Sequence, residues 1–502
     1  MKQYAIGLDN GGTMTKAALF DLKGTELCVA ARKTPVRSPK PGYSERDMEE
    51  VWQANCACIR EVLERSSIAP EDVLGIAVCG HGKGLYLWGK DEKPAYQGIG
   101  STDNRAWSIV QQWYEDGTHA QIYPQICQQL MPCQQAPLLR WIKQNCPEVY
   151  ANIQYVFSVK DYIRFRLTGE AWSEATDISG SALLDVKNSC FDRAVLEAMG
   201  IGEVYDALPD LKASSDNCGV ITPEAAAQTG LRPGTPVAGG MFDVDACAIA
   251  SGITKPGQLC TITGTWSINE FISESTITDT AIAMNSIYAI PGYYLLEESS
   301  ATSAGNLEWV IENCLDTKGL KGQALYDYLA QLVEQVPPEK CDIYYLPFLY
   351  GSNAHTLAKA CFVGLTSFHT TAHLVRAVYE GVAYSHRTHI DKLLSVAQKP
   401  AAIRMAGGAV NSSVWVQMFA DVLGCAIETV DGVTELGALG CAMAAAVSAG
   451  AYASYEDAVA AMVHINPPIA PDMERHQIYN EKFKKYTAVV NALDTVWNEF
   501  QV

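Results

Sequence analysis

One pattern constrains this chain more than any other: an apolar strand runs into a hairpin of glycines and threonines and returns as a second strand. It occurs near the start as IGLDNGGTMTK, residues 6–16, and again in the second half as TITGTWSIN, residues 261–269. A turn alone needs one glycine, whereas two glycines among hydroxyls directly after a buried strand indicate a backbone that approaches an anion. For residues 6–16, an ordinary tight turn is the alternative.

The segments around the two hairpins alternate strands with helices. A helix is predicted from Met48 to about Arg65, with Asp47 as its N-cap, and a buried strand, VLGIAVCG, follows it. Near residue 235 the pattern restarts with TPVAGGMFDVDACAIASG, and a long helix is predicted in HTTAHLVRAVYEGVAYSHRTHIDKLL. The alternation predicts a duplicated α/β unit with a cleft between its halves, where a nucleotide would use one hairpin from each half.

Length and hydrophobicity indicate a soluble protein of more than one domain. The chain has 502 residues, of which 48% are hydrophobic, and this is enough for two or more cores. Its longest nearly apolar run, AMAAAVSAGAYA, is shorter than the roughly 20 residues that span a bilayer. The first residues do not show the pattern of a signal peptide, so we expect a cytoplasmic protein.

Charge and cysteine usage narrow the classes of partner. The net charge of −19 argues against nucleic acid or an anionic membrane as a partner. It leaves room for a nucleotide, because glycine-rich backbone and a divalent cation hold phosphates without a basic surface. The 16 cysteines are scattered without a CxxC pair, which is typical of thiols used as small core residues in a reducing compartment.

Six segments in order resemble the FGGY carbohydrate kinases, members of the wider actin, hexokinase and Hsp70 ATPase fold. They are LDNGGTMTK, PGYSERDMEEVW, VKDYIRFRLTGE, GGMFDVDA, TGTWS and MAGGAVNSSVWVQMFADVLG. The resemblance implies an α/β protein of two actin-like (ribonuclease H-like) ATPase domains with a nucleotide and sugar cleft between them. Residues 1–245 would be the domain that binds sugar and carries the first phosphate loop. Residues 246–502 would carry the second phosphate loop and the adenosine site.

The resemblance also implies a catalytic base. Asp243, in the GGMFDVDA segment, would accept the proton of the sugar hydroxyl as its oxygen attacks the γ-phosphate of ATP. The alternative is that Asp243 simply N-caps the helix that follows it. Asp245, two residues further, is interpreted as a first-turn acid of that helix.

The hairpins are identified as phosphate loops by the same resemblance. Asp9 would hold Mg²⁺ through water, because this ion keeps much of its hydration shell. Residues of both hairpins would contact the phosphates, and these are Gly11, Gly12, Thr13, Lys16, Gly264 and Thr265. A solvated Asp9 and a solvated Lys16 are the alternatives.

Adenosine and sugar sites follow from the remaining motifs. Gly407, Gly408 and Ser412 would pack against adenosine, with Ala304 and Glu308 near the nucleotide; a plain helix start is the alternative. The candidate sugar-binding residues are His81, Lys83 and Asp103, together with the base Asp243. Lys83 could instead pair with Asp103 or be exposed, and Arg105 is expected to brace Asp103.

The implied activity is ATP- and Mg²⁺-dependent phosphorylation of a ketopentose. CGHGKG, residues 79–84, and STDNR, residues 101–105, resemble the branch of the family that acts on L-xylulose, although glutamine is expected at His81. D-xylulose, gluconate and erythritol are alternative acceptors. An actin-like ATPase is a second functional class. A nicotinamide dehydrogenase is a third, and against it no GxGxxG motif opens a helix after the first strand of this sequence. The partners are sugar and ATP, with a homodimer as one candidate assembly.

Overall fold

The computed structural model describes residues 3–264, 266–278, 282–355 and 357–500. The strands are β1 (Tyr4–Asn10), β2 (Met14–Asp21), β3 (Glu26–Lys33), β4 (Glu45–Arg46), β5 (Val73–Gly80), β6 (Tyr86–Gly89), β7 (Gly98–Ile99), β8 (Ile153–Phe157), β9 (Ser173–Glu174), β10 (Leu184–Asp185), β11 (Cys190–Phe191), β12 (Leu211–Lys212), β13 (Asn217–Val220), β14 (Pro236–Ala238), β15 (Met241–Phe242), β16 (Leu259–Thr263), β17 (Ser267–Ser273), β18 (Met284–Ile287), β19 (Tyr294–Ser300), β20 (Tyr344–Leu346), β21 (Cys361–Val363), β22 (Ala402–Gly407) and β23 (Ala426–Thr429).

The helices are α1 (Met48–Ser66), α2 (Trp107–Glu115), α3 (Thr118–Ile126), α4 (Gln135–Asn145), α5 (Pro147–Asn152), α6 (Val159–Thr168), α7 (Ala175–Ser179), α8 (Arg193–Ala198), α9 (Pro223–Thr229), α10 (Asp243–Ala250), α11 (Gly305–Cys314), α12 (Gln323–Glu334), α13 (Thr371–Val396), α14 (Ser413–Leu423), α15 (Leu436–Ser448), α16 (Tyr455–Met462) and α17 (Met473–Trp497). Short 3₁₀ helices cover Pro70–Asp72, Gly202–Ala207, Pro338–Lys340, Gly408–Asn411 and Asn498–Phe500. Across the described ranges, no helix is both long and apolar enough to cross a bilayer.

The chain divides into two compact units built from interleaved segments. Unit 1 consists of Met1–Pro256, Ile272–Leu296 and Gly432–His464. Unit 2 consists of Gly257–Phe271, Glu297–Asp431 and Ile465–Val502.

The sheet of unit 1 has its strands in the order β13-β14-β5-β1-β2-β3, and β15 pairs with β5 beyond β14. β1 and β2 form the predicted antiparallel hairpin, whereas β1 and β5 run parallel. Every residue of β5 is buried, as expected for a central parallel strand covered on both faces.

Helices cover this sheet closely. α1 begins where it was predicted to begin, since the carboxylate of Asp47 accepts hydrogen bonds from the backbone N–H groups of Glu49 and Glu50. α15 packs against β1 so tightly that a Cβ built on Gly7 would lie 1.8 Å from the carbonyl oxygen of Ala438. Only glycine at position 7 permits this approach.

The sheet that carries the second hairpin has the order β18-β19-β17-β16-β22-β23. β16 pairs antiparallel with β17, as predicted for TITGTWSIN, and parallel with β22. In unit 2 the predicted long helix is α13, whose 26 residues include a large buried set. The strands and helices of both units thus give the α/β architecture that the alternation predicted.

Candidate active site

Two carboxylates lie at the ends of strands that flank β5 in unit 1. The register pairs Asp9 of β1 with Cys79 of β5 from one side, and Met241 of β15 with Cys79 from the other. Asp243 follows β15 directly and is the first residue of α10. Because α/β sheets bind ligands at the carboxyl ends of their parallel strands, Asp9 and Asp243 occupy the edge of this sheet best suited to a reaction.

The thiol of Cys79 lies within the electrostatic reach of both carboxylates. Burial raises its pKa well above the ordinary range, and contact with the thiol of Cys441 adds to the shift. The negative charges of Asp9 and Asp243 raise the pKa of Cys79 further. The two acids therefore act on the same small region at the end of β5.

Asp243 is half-buried, and the residue before it is firmly held. The N-cap position of α10 is occupied by Phe242, so the alternative role of Asp243 as the N-cap residue does not describe this helix. The backbone N–H of Phe242 donates to the Thr176 hydroxyl at 2.8 Å, and this hydroxyl donates to Glu174 Oε2 at 2.8 Å. Glu174 in turn pairs with the buried Lys160 at 3.1 Å.

The segment VKDYIRFRLTGE thus contributes a buried ionic cluster beneath the aspartate turn. Lys160 Nζ also lies 2.7 Å from Asp161 Oδ1, and the opposite charges raise the pKa of Lys160 although burial lowers it. Asp245 has a different environment from Asp243. It is fully buried, and its Oδ1 accepts a hydrogen bond from the backbone N–H of Ala289 at 3.0 Å.

Asp9 lies beside a part-buried ion pair. Lys16 Nζ is 2.8 Å from Oε2 of Glu435, a residue 419 positions later in the chain. Burial raises the pKa of Asp9, and the charge of Lys16 opposes that rise. Burial lowers the pKa of Lys16, but hydrogen bonding to Glu435 and the charges of Glu435 and Asp9 raise it overall. Lys16 is thus engaged in an ion pair with Glu435, and the alternative of a merely solvated lysine does not describe it.

The surroundings of Asp9 fit Mg²⁺. Gly437, in the first turn of α15, is so close that a Cβ built on it would lie 3.2 Å from Asp9 Oδ2. No cluster of three or more His, Cys, Asp or Glu residues in the described ranges forms a ready metal cage. A single carboxylate suits Mg²⁺, which keeps several waters and completes its octahedron with substrate phosphates.

The glycines of the first hairpin are not required by the fold of unit 1. Neither Gly11 nor Gly12 has a positive φ. Within the part of the chain that the structure describes, a Cβ on Gly12 would meet nothing within 4 Å, and a Cβ on Gly11 would meet only the carbonyl oxygen of Met14 at 3.5 Å. Gly12 and Thr13 are exposed. Glycine at these places therefore keeps free space beside the backbone, which suits the close approach of a phosphate.

The second hairpin has the same property in unit 2. Among the described residues, a Cβ on Gly264 would also meet nothing within 4 Å, and the φ of Gly264 is not positive. The other predicted residue of this hairpin, Thr265, lies outside the described residues. Gly407 differs, because its φ is +91° and a Cβ there would lie 2.6 Å from the carbonyl oxygen of Thr263. Gly407 is needed by the packing of β22 on β16.

The predicted adenosine residues of unit 2 lie at helix starts. Gly408 begins a 3₁₀ helix, the buried Ser412 precedes α14, and the buried Ala304 precedes α11. The hydroxyl of Tyr379 on α13 neighbours Ser412: burial raises the pKa of Tyr379, and the side chain of Ser412 opposes the rise.

Glu308 belongs to the same neighbourhood. Burial raises the pKa of Tyr326 on α12, and the charge of Glu308 raises it further. Tyr326 in turn contributes to the raised pKa of Tyr379. The two tyrosines are thus additions to the predicted residues, and they link α11, α12 and α13 beside Ser412. Sequence reasoning passed over them because tyrosines in amphipathic helices are ordinary core residues.

His81 and Lys83, two of the predicted sugar-binding residues, follow β5 directly. His81 is buried, with its Nε2 3.3 Å from the Tyr86 hydroxyl. Burial lowers the pKa of His81 to about 3, with a contribution from the guanidinium of Arg46, so the ring is neutral at physiological pH. Lys83 has a φ of +64°, and its Nζ is 5.8 Å from the ring centre of Phe242. Its ammonium thus lies next to the residue that precedes Asp243.

Asp103 is tightly engaged by the protein. Its side chain is fully buried, and both of its oxygens accept hydrogen bonds from Arg105, at 2.9 and 2.8 Å. The backbone N–H of Ser44 donates to Asp103 Oδ2 at 2.6 Å. Arg105 braces Asp103 as expected, whereas the sugar contact of Asp103 stays a prediction. Within the described ranges, Lys83 forms no ion pair with Asp103.

Comparison with known proteins extends over nearly the whole chain. Residues 4–250 match the N-terminal domain of the FGGY family of carbohydrate kinases, and residues 259–449 match its C-terminal domain. The chain is 39% identical to the L-xylulose/3-keto-L-gulonate kinase of Escherichia coli, over 98% of each chain. It is 36% identical to a probable L-xylulose kinase of Pasteurella multocida, over 98% of this chain and 99% of the relative.

The fold has a counterpart among solved structures. The crystal structure of gluconate kinase from Lactobacillus acidophilus superposes with a TM-score of 0.90 over 99% of both chains, at 24% identity. The likeness covers both halves of the molecule and concerns the architecture alone.

Proposed function

The chain belongs to the FGGY family of carbohydrate kinases, and we propose that L-xylulose is the sugar that it phosphorylates with ATP. The observation that carries the kinase chemistry is the register of unit 1, in which Asp9 near the end of β1 and Asp243 directly after β15 lie on either side of β5. The 39% identity to an L-xylulose/3-keto-L-gulonate kinase supports the choice of sugar.

Asp243 is the proposed general base. A phosphoryl transfer needs a carboxylate that accepts the hydroxyl proton while the sugar oxygen attacks the γ-phosphate in line and ADP leaves. Asp243 is half-buried at the start of α10, where the positive end of the helix dipole lies. The Thr176 hydroxyl accepts a hydrogen bond from the backbone N–H of Phe242 and so holds the residue that directly precedes Asp243.

The phosphate-binding roles are assigned to the two hairpins. Gly11, Gly12 and Thr13 are proposed to offer backbone N–H groups and a hydroxyl to the phosphates, with Lys16 as a neighbouring cation. Gly264 and Thr265 have the same assignment in the second hairpin. Asp9 is the residue that would hold Mg²⁺, which supplies charge neutralisation to the triphosphate when bound. The adenosine-binding assignment covers Ala304, Gly407, Gly408 and Ser412.

We assign the sugar to the neighbourhood of His81 and Lys83, with Asp103 as a further candidate. A neutral imidazole both donates and accepts hydrogen bonds, which suits a polyol. The proposed domains follow the positions of the motifs in the sequence. Residues 1–245 are the proposed sugar-binding domain, and residues 246–502 are the proposed adenosine-binding domain.

A sugar acid is a second candidate substrate on the same fold. The ammonium of Lys83, beside Phe242, is a suitable partner for a substrate carboxylate. D-xylulose, gluconate and erythritol are the other acceptors to test. An ATPase that modifies no sugar is disfavoured, because both halves of the chain match domains of carbohydrate kinases.

The experiment is a kinase assay of the purified protein over pentuloses, hexuloses, polyols and sugar acids. We expect ATP consumption to require an acceptor, with the highest kcat/KM for L-xylulose. ATP hydrolysis that no acceptor stimulates would contradict the proposal and favour the ATPase.

A further inference from the structure

Arg46 is a buried cation that has no carboxylate partner among the residues that the structure describes. Its side chain is 1% exposed, yet no Asp or Glu of the described ranges lies within 4.0 Å of its guanidinium nitrogens. The other buried arginines and lysines of those ranges all have such a partner: Arg105 with Asp103, Lys160 and Arg164 with Asp161, and Arg376 and Lys482 with Glu380.

The groups around Arg46 do not cancel its charge. It lies near His81, whose lowered pKa keeps the ring neutral, and near the Tyr86 hydroxyl, whose pKa burial raises. Its Nε meets no hydrogen-bond acceptor in the described part of the chain. Because an uncompensated buried charge is costly, the arrangement is explained best if a ligand supplies the missing negative charge.

The contacts of Arg46 point to the first hairpin. Nη1 of Arg46 donates to the carbonyl oxygen of Gly11 at 3.1 Å, and Nη2 donates to the hydroxyl of Thr34. The backbone N–H of Thr34 donates to the carbonyl oxygen of Thr13 at 2.9 Å. The carbonyl groups of Gly11 and Thr13 are thereby held toward Arg46 and Thr34, respectively.

This arrangement sets the direction of an N–H group. The described chain has no cis peptide bond, and in a planar trans peptide the N–H points opposite to the carbonyl. With the Gly11 oxygen bound by Arg46, the N–H of Gly12 therefore points away from Arg46. The space beside Gly12 is open, since a Cβ there would meet none of the described residues within 4 Å. A phosphate oxygen needs such an outward donor.

We propose that Arg46 is a positioning residue that presents the Gly12 N–H to the nucleotide phosphates and supplies the positive charge behind the hairpin. It does not touch the nucleotide, because its guanidinium is buried behind the hairpin. This inference rests on the proposed function. Arg46 belongs to the segment PGYSERDMEEVW, and the resemblance of that segment to the family assigns no function to any of its residues.

The test compares three variants by nucleotide binding and by thermal unfolding. Arg46→Met removes the charge and the contact with Gly11, whereas Arg46→Lys retains the charge without the planar fork. Arg105→Met is the matched control, because it removes a buried arginine that does have carboxylate partners. ADP and ATP affinities with Mg²⁺ are measured by calorimetry, and melting is followed with and without nucleotide.

For Arg46→Met we expect nucleotide affinity to fall by about 10- to 100-fold, the usual effect of losing a charged hydrogen-bonding group. The KM for sugar changes little, and Arg46→Lys recovers part of the affinity. Ligand-free Arg46→Met melts no lower than the wild type, because an unpaired buried charge is gone. Arg105→Met melts lower but binds nucleotide normally, since Asp103 and Glu45 lose their partner.

Several results would overturn the inference. One is wild-type nucleotide affinity in Arg46→Met, and another is failure of that variant to fold. A third is a selective rise in the KM for a sugar acid, which would assign the charge to a substrate carboxylate. A wild-type protein that binds no nucleotide would refute the proposed function as well, so the two failures are distinguishable.

Discussion

Asp9 and Gly437 are in direct contact: a Cβ added at Gly437 would lie 3.2 Å from the carboxylate oxygen of Asp9 and 3.4 Å from the sulfur of Cys79. An alanine at position 437 would therefore require the Asp9 side chain to shift by a few tenths of an ångström. The contact joins the first turn of α15 to the end of β1, within unit 1.

Gly437→Ala is expected to impair the use of Mg²⁺ by displacing Asp9 by a few tenths of an ångström. We expect about tenfold lower kcat at limiting Mg²⁺, since small misplacements of reacting groups are costly, with partial recovery at saturating Mg²⁺. Titration of Mg²⁺ in the kinase assay measures this. Gly440→Ala is the control: its Cβ would lie 2.3 Å from the carbonyl oxygen of Ala246, so global stability should fall instead. An unchanged Mg²⁺ requirement in Gly437→Ala contradicts the role of Asp9.

Lys83→Met is expected to change substrate preference. If the ammonium binds a substrate carboxylate, its loss lowers kcat/KM for a sugar acid by about 10- to 100-fold and that for L-xylulose much less. Steady-state kinetics with both substrates measures the ratio. Lys93→Met, at an exposed lysine nearby in sequence, should leave the ratio unchanged. Equal losses for both substrates would assign Lys83 to a contact that the two sugars share.

His81→Gln is expected to alter acid stability. His81 has a pKa of about 3 in the native protein against an ordinary value of 6.5. Between these values the unfolded chain binds a proton and the native protein does not, so native stability falls as the pH falls from about 6.5 toward 3. Glutamine does not titrate, so the variant should lose less stability across this window.

Urea unfolding at a series of pH values measures the difference. His464→Gln, at an exposed histidine, is the control and should follow the wild-type profile. Parallel pH profiles of His81→Gln and the wild type would show that His81 is not held neutral.

Asp103→Asn separates a structural role from sugar binding. Removing the carboxylate leaves the buried Arg105 with Glu45 as its remaining ionic partner, and we expect the free energy of unfolding to fall by about 3 kcal/mol. Urea unfolding measures this loss. A higher KM for sugar at unchanged stability would instead assign Asp103 to the substrate.

The sequence predicted those features whose causes are local. Both hairpins, the capped start of α1 and the length of α13 follow from residue patterns within a few turns of the chain. The partner of Lys16 does not, because Glu435 is 419 positions away. The burial of Arg46 likewise depends on separate parts of the chain, since Gly11, Thr34 and His81 all lie near it, and no short pattern encodes that. The division into two units could not be predicted either, because their segments alternate along the chain and no Pro/Ser/Gly-rich linker marks the boundaries.

The most direct test of the central claim is Asp243→Asn, assayed for ATP-dependent phosphorylation of L-xylulose alongside calorimetric binding of ATP. The account predicts that kcat falls by about 10²- to 10⁴-fold, the usual contribution of a general base, while ATP still binds. Phosphorylation near the wild-type rate would contradict the assignment of Asp243 as the base.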